Sequence, residues 1–352
     1  MRKIGLFKSY ISLRSAWNVF VLLIKSNYGT YIGEGPQVKA FEKEFGEKFA
    51  NQLNSENVTA VNSGTSALEL AYELAEIGEG DEVITPVFTA VMTNLPLVHR
   101  RAKIVFADTD LDLNVSVEDV KKKITSKTKA IVFVHFGGNN RGLKELLQIA
   151  KEKNIILVED AAQAIGSDFW GKADFTCVSL QAIKTLTSGD GGFLICKDKK
   201  MDEKAKRLRW FGYDREMKQK NGDTDITEAG YKYHMSDITA VIGRGNLKSI
   251  DKIISHRKKL IMEYKKGGIQ AHMWFASILS PKREELMKFL KENGISSGTH
   301  HFRNDKYTIF GGKKEKFPNM DKIEGQYLFL PLHHGVSVED VRKICTLVNN
   351  FR

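Results

Sequence analysis

Short apolar runs alternate with helix-length amphipathic stretches between about residue 57 and residue 196. The runs cover residues 58–61, 82–85, 103–107, 130–135, 155–159, 175–179 and 192–195. Several are apolar throughout, which marks strands covered on both faces. Between them, residues 66–74 set Ala67, Leu70, Ala71 and Leu74 on one helical face, and residues 143–153 repeat that period. The alternation predicts an α/β fold, a mostly parallel sheet sandwiched by helices. Ligands of such sheets sit at the carboxyl ends of strands. Residues 200–260 read as helical and charged, with a polar interruption at 218–228, and the remainder reads as a smaller α+β domain. The expected division is 1–245 for an N-terminal segment and large ligand-binding domain, and 246–352 for the small domain.

The N-terminus changes the picture only slightly. Arg2, Lys3 and Arg14 precede the apolar run 16–24, which is too short to span a bilayer and lacks a small-residue cleavage site. A docked amphipathic helix capped by Ser12 is expected instead. At 352 residues the chain exceeds the size of one simple core, and 42% hydrophobic with 28% charged residues describes an ordinary globular protein. The net charge of +11 invites a nucleic-acid role, yet the cations are scattered and no nucleic-acid-binding motif accompanies them. A lysine-rich solvated surface accounts for them, and its field would steer an anionic metabolite. Cys177, Cys196 and Cys345 are far apart, with no CxxC or Cys/His spacing, so neither a disulfide framework nor a metal site is expected. That suits a cytoplasmic protein.

Three motifs carry chemistry. Asn62-Ser63-Gly64-Thr65-Ser66 follows a strand and opens a helix. A glycine there lets backbone approach a ligand, and a helix N-terminus with hydroxyls favours a phosphate. The same residue types also make an ordinary helix cap. Glu159-Asp160-Ala161-Ala162-Gln163 ends a buried strand in two acids. A carboxylate there calls for a cation, such as a protonated pyridine nitrogen, or for solvent beyond a helix cap. Finally, Lys184 lies five residues after the strand-end Ser179, ahead of Gly189-Asp190-Gly191-Gly192. An amine enclosed in a pocket is nucleophilic toward an aldehyde, whereas a lysine in a polar loop is inert. The three motifs are expected at consecutive strand ends of one sheet.

With these residues in view, the chain resembles the DegT/DnrJ/EryC1/StrS family of sugar aminotransferases, of fold-type I and dependent on pyridoxal 5'-phosphate (PLP). The likeness begins at Gly33-Glu34-Gly35-Pro36-Gln37-Val38 and Gly80-Asp81-Glu82-Val83-Ile84-Thr85-Pro86. It passes through the acid and lysine motifs to Gly230-Tyr231-Lys232-Tyr233-His234-Met235-Ser236-Asp237. It ends in His301-Phe302-Arg303-Asn304-Asp305 and Leu330-Pro331-Leu332, so nearly the whole chain is covered in order.

The resemblance implies that Lys184 bonds to the cofactor and shuttles the proton. It implies that Asp160 pairs with the pyridine nitrogen and that Gln163 meets the phenolic oxygen. Gly64, Thr65, Ser66 and Ser179 would hold the phosphate. The segment with Lys232 and His234 would reach the neighbouring site of a homodimer, and His301 and Arg303 would lie at the substrate rim. The sequence departs from the family where an aromatic often stacks on the ring: Ala90 matches that position, with Phe88 two residues earlier. Lys232 and His234 stand where many relatives place an asparagine, and the stretches 171–174 and 257–274 are short.

The implied reaction moves an amino group from an amino acid, glutamate foremost, to a keto-sugar nucleotide for surface polysaccharide synthesis. A cyclitol ketone or a small phosphorylated ketone is the alternative acceptor. The family's dehydratases carry histidine at the lysine position, and a non-catalytic regulator of this fold would be expected to lose Lys184 or Asp160. Both residues are present.

Overall fold

A computed structural model describes residues 3–53 and 56–351. Arg2, counted above among the basic residues near the N-terminus, lies outside them, as do the outermost residues of the two expected domains.

The chain begins with α1 (Leu13–Ser26), α2 (Pro36–Lys48), β1 (Val58–Val61) and α3 (Gly64–Leu74). Next come β2 (Glu82–Pro86), β3 (Phe88–Thr89), α4 (Val91–His99), β4 (Lys103–Ala107), α5 (Val117–Lys123) and β5 (Thr128–Val134). They are followed by α6 (Leu143–Lys153), β6 (Ile156–Asp160), β7 (Phe175–Ser179) and β8 (Gly192–Cys196). Four helices run in succession: α7 (Lys199–Leu208), α8 (Arg215–Asn221), α9 (Asp237–Leu247) and α10 (Ile250–Lys266). The last part holds β9 (Gln270–Ala271), β10 (Ala276–Leu279), α11 (Arg283–Glu292), β11 (Phe302–Arg303), α12 (Pro318–Ile323), β12 (Tyr327–Leu330) and α13 (Val338–Phe351).

Seven strands form the main sheet in the order β1-β8-β7-β6-β5-β2-β4. β8 runs antiparallel to β1 and β7, and every other pair is parallel. Every residue of β1, β2 and β8 is buried, β1 even at the sheet edge, whereas the other edge strand, β4, starts exposed at Lys103. Each fully buried valine, leucine, isoleucine or phenylalanine in them contributes about 1.5–3 kcal/mol.

β1, β6 and β7 end at one edge of the sheet, but β8 enters between β1 and β7 in the opposite direction. The motif-bearing ends are therefore neighbours across an inserted strand, not strictly consecutive. Gly192 makes the insertion possible, since a Cβ there would lie 2.6 Å from the Val178 carbonyl oxygen and 2.8 Å from the Gly64 nitrogen.

The C-terminal part centres on the antiparallel sheet β12-β10-β9, packed on apolar positions of α10, α11 and α13. It is stitched back to the large part where β11 pairs with β3. Residue 245, the expected division, lies inside α9, which continues to Leu247. The polar stretch 218–228 is helical only over its first four residues, because α8 ends at Asn221 and Gly222 turns the chain at φ 83°. α1 starts where Ser12 accepts the Ser15 amide at 3.0 Å.

Candidate active site

The phosphate-favouring end is built where α3, β7 and β8 converge. Ser63 caps α3 by accepting the Ser66 amide at 3.0 Å. The helix's first amides, at Gly64 and Thr65, have no acceptor within it. Gly64 lies so close to β7 that a Cβ would sit 2.8 Å from Ser179 Cβ. Thr65 is exposed beside it and Ser179 half-buried. Ser66 differs from expectation: it is buried, with its hydroxyl 2.6 Å from Asn62 Oδ1 and 2.9 Å from Ser63 Oγ. A hydroxyl has one proton to give, and this one is committed inside the cap.

At the end of β6 the two acids part, because side chains alternate across a strand. Asp160 Oδ2 accepts from Thr93 Oγ1 of α4 at 2.8 Å, and Oδ1 from the Ala162 amide at 3.1 Å. Glu159 is wholly buried and accepts from the amides of Gly171, Lys172 and Ala173. Gln163 accepts the Gly137 amide on Oε1 at 2.6 Å, which turns its Nε2 toward His301 Nε2 at 3.3 Å. With Gln163 donating, the imidazole proton resides on Nδ1. Burial, with the nearby charge of Lys184, drives His301 down to about 3, so the ring is neutral at physiological pH.

Lys184 sits in the turn 181–184, closed by its amide to the Gln181 carbonyl at 2.9 Å. The base of this loop is tied where Leu180 N–H meets the Gly191 carbonyl and Ser188 N–H meets the Leu180 carbonyl. Burial lowers the lysine to about 8, and Asp160 opposes that shift. Its Nζ lies 4.3 Å from the centroid of the Trp274 ring. Trp274 Nε1 in turn donates to the Ile183 carbonyl at 3.3 Å.

Phe88, Ala90 and Arg303 stand elsewhere or in another capacity, and Lys232 and His234 lie on a segment packed beside β1. Phe88 is buried between Phe136 and Tyr327, with ring centroids at 4.9 and 4.8 Å, so it packs the core and offers no stacking face. Ala90, at the start of α4, is half-buried and brings no ring. Arg303 is not at a rim: it is fully buried, bidentate to Asp305 at 2.7 and 2.6 Å, and bonded to Asp321 at 2.5 Å. A buried guanidinium requires such anions, and these leave it no role toward a ligand. Lys232 is exposed and His234 half-buried; their segment runs beside β1 of the same chain, with the Tyr233 carbonyl accepting the Asn62 amide at 2.7 Å. His234 Nδ1 has no partner among the described residues.

Thr93 and Trp274 were missed from the sequence. Neither lies in a motif, and each reaches the site only through tertiary packing of α4 or of the segment between β9 and β10.

A desolvated amine that feels the charge of a buried carboxylate, on a sheet that also carries a glycine-crowded helix N-terminus, suits a PLP-dependent enzyme. The residues fit that cofactor: Asp160 keeps acceptor capacity beyond its two donors, and the α3 terminus offers uncommitted amides. The chain belongs to the DegT/DnrJ/EryC1/StrS aminotransferase family, whose profile matches residues 23–349. It is therefore a PLP-dependent aminotransferase. It is 31% identical to GDP-perosamine synthase of Escherichia coli O157:H7 over 330 residues, covering 88% of this chain and 89% of that one. The GDP-perosamine synthase of Vibrio cholerae is 32% identical over 349 residues, with 92% and 93% covered. Among solved structures, the sugar aminotransferase CalS13 from Micromonospora echinospora superposes with a TM-score of 0.91 at 26% identity, covering 99% of each chain. No described helix is long and apolar enough to cross a membrane.

Proposed function

We propose that the protein transfers an amino group from an amino acid, glutamate foremost, to the ketone of a nucleotide-linked sugar. The observation that carries this reading is Lys184, a buried amine lowered to about 8, with its Nζ over the Trp274 ring and Asp160 near enough for its charge to be felt. Its sequence setting supports the acceptor class, since relatives at 31–32% identity are named for making GDP-perosamine.

When bound, PLP supplies an aldehyde to receive the amine and a ring to spread negative charge. Lys184 Nζ would hold the cofactor through that aldehyde, whose oxygen leaves as water, and would otherwise take and return the substrate proton. Near neutral pH an amine of about 8 is usable in both protonation states. His301, neutral at that pH, does not compete for the proton. Asp160 would pair with the protonated ring nitrogen, and Thr93 holds Asp160 in place. Gln163, fixed by the Gly137 amide, orients the ring's oxygen side. Gly64, Thr65 and Ser179 would receive the phosphate.

The functional unit in this proposal is a homodimer in which Lys232 and His234 serve the neighbouring site. The exposure of Lys232, and a buried His234 Nδ1 left without a partner among the described residues, support it. A cytoplasmic setting is supported by three cysteines that are all buried and free.

The test is a half-reaction series. Glutamate alone should bleach the visible band of the protein, and a keto-sugar nucleotide added afterwards should restore it, with ping-pong kinetics overall. Borohydride should fix the cofactor to the peptide containing Lys184, and Lys184→Ala should abolish both fixation and turnover. Recovery with a small phosphorylated ketone but no nucleotide sugar would keep the aminotransferase and discard the sugar.

A further inference from the structure

Nothing in the chemistry at Lys184 accounts for α1. Its sequence, LRSAWNVFVLLIKS, contains no acidic residue. A surface helix normally turns its apolar stripe toward the core. This one buries only Ser15 and Leu22. It docks on α9 through Ser15, whose hydroxyl donates to the Ile242 carbonyl at 3.0 Å and meets Asn246 Oδ1 at 2.9 Å. Gly245 permits the approach, since a Cβ there would lie 2.3 Å from Ser15 Oγ. These bonds fix the rotation of the helix about its axis. Leu13, Trp17, Phe20, Leu23 and Ile24 are left outward, at 91, 63, 53, 42 and 44% exposure. Their spacings of three and four residues place them on one strip. Trp17 and Phe20 have ring centroids 5.6 Å apart. A contiguous exposed apolar strip of this kind marks an interaction surface.

Charge identifies the occupant. Arg14 and Lys25 are eleven residues apart, about three turns, and so share one flank of the strip. With Arg244 and Lys248 they line a hollow beside the helix. The acid in that hollow, Glu44, is already paired with Arg244 and Lys248. A second copy laid strip to strip would bring another helix without a carboxylate to these cations, and uncompensated like charge opposes association. An anionic lipid surface meets both demands, apolar depth under the strip and phosphates at its flank.

We propose that α1 seats the protein on an anionic phospholipid bilayer. Trp17, Phe20 and Ile24 enter the interface while Arg14 and Lys25 contact headgroup phosphates. The helix lies in the plane of the interface and does not cross it. The proposal is independent of the acceptor chosen at Lys184.

The test uses the full chain with vesicles of phosphatidylcholine alone, or with about one third phosphatidylglycerol. Co-sedimentation should occur with the anionic vesicles only and weaken as salt rises. Tryptophan emission should shift to the blue on binding, and Trp17→Phe should remove the shift. Trp17→Ser with Phe20→Ser should cut vesicle binding about tenfold or more, with transamination in solution unchanged. Arg14→Gln with Lys25→Gln should weaken binding to anionic vesicles alone. Equal, salt-insensitive binding to both vesicle types, or to neither, overturns the proposal. So does a dimer that dissociates on Trp17→Ser with Phe20→Ser, because the strip then belongs to a second copy.

Discussion

Glu159 and Asp160 are adjacent at the end of β6, face opposite sides of the sheet, and live in different chemistry. Glu159 takes four hydrogen bonds, from the amides of Gly171, Lys172 and Ala173 at 2.8, 2.6 and 2.7 Å and with His135 Nε2 at 2.7 Å. Burial alone would raise its carboxyl, but His135 and the Gly171 and Lys172 amides hold it below the usual range. Asp160 takes two donors and faces a lysine that burial has made less basic. The difference teaches where function resides in this fold. A buried carboxylate that the chain satisfies completely pins a loop, and one left with spare acceptor capacity beside an amine awaits a ligand.

The strongest way to break the comparison is Glu159→Ala. It leaves three amides and His135 without their acceptor, and should cost about 3–5 kcal/mol of stability in denaturant titration. The folded fraction should keep its kcat. Because the folded carboxyl lies below its unfolded value, its stabilisation is complete above the ordinary glutamate range and is lost as pH falls through the folded value. Wild type should thus lose stability in acid more steeply than Glu159→Ala. Equal acid sensitivity would mean that Glu159 pins nothing.

Asp160→Asn should behave oppositely. The substitution keeps the shape, so stability in denaturant should change little, while kcat should fall about 10²–10³-fold as for loss of one preorganised electrostatic partner. KM should rise by less than kcat falls. An unchanged kcat would assign the ring nitrogen to another group.

Much of this was legible in the sequence, and the limits have physical causes. Buried strands announce themselves as apolar runs, so β1 and β7 coincide with the runs read from the sequence. The direction of β8 was not legible, because an apolar run carries no polarity. Motif glycines marked where backbones meet, as at Gly64 and Gly192. Arg303 misled because a charged residue near a motif reads the same whether it meets a ligand or Asp305 and Asp321. Trp274 and Thr93 carried no local signal, since a single tryptophan in a connection, or a threonine inside a helix, looks like any core residue. The outward strip of α1 was invisible for a similar reason: periodicity shows that a helix has two faces, not which one docks.

A third test asks what the unsatisfied side of the comparison costs the fold. Lys184 is lowered from its ordinary 10.5 to about 8, so the cofactor-free protein carries a disfavoured charge at neutral pH. Lys184→Met should stabilise the cofactor-free protein by about 2–3 kcal/mol at pH 7. The unfolded chain binds more protons than the folded one between about 8 and 10.5, so wild-type stability rises across that window. The advantage of the variant should shrink over the same range. A constant difference between the two proteins from pH 7 to 10.5 would show that Lys184 titrates normally.

The smallest effect concerns Trp274, whose ring face lies against Lys184 Nζ and whose indole N–H holds the Ile183 carbonyl. Two influences of this ring oppose each other. Its face attracts the ammonium and raises the lysine, while its bulk keeps water away and lowers it. Trp274→Leu keeps an apolar neighbour but removes the face, which is worth about 0.5–1 kcal/mol, so Lys184 should fall by about half a unit. Trp274→Phe, which retains a face, should move it less. The readout is the pH midpoint for acylation of the Lys184 amine in cofactor-free protein, compared across the three side chains. A midpoint that instead climbs toward 10.5 in Trp274→Leu would mean that water has entered, and that exclusion of solvent is what Trp274 gives the site. The ring face would then be incidental, and the low basicity of Lys184 would rest on one side chain closing its pocket.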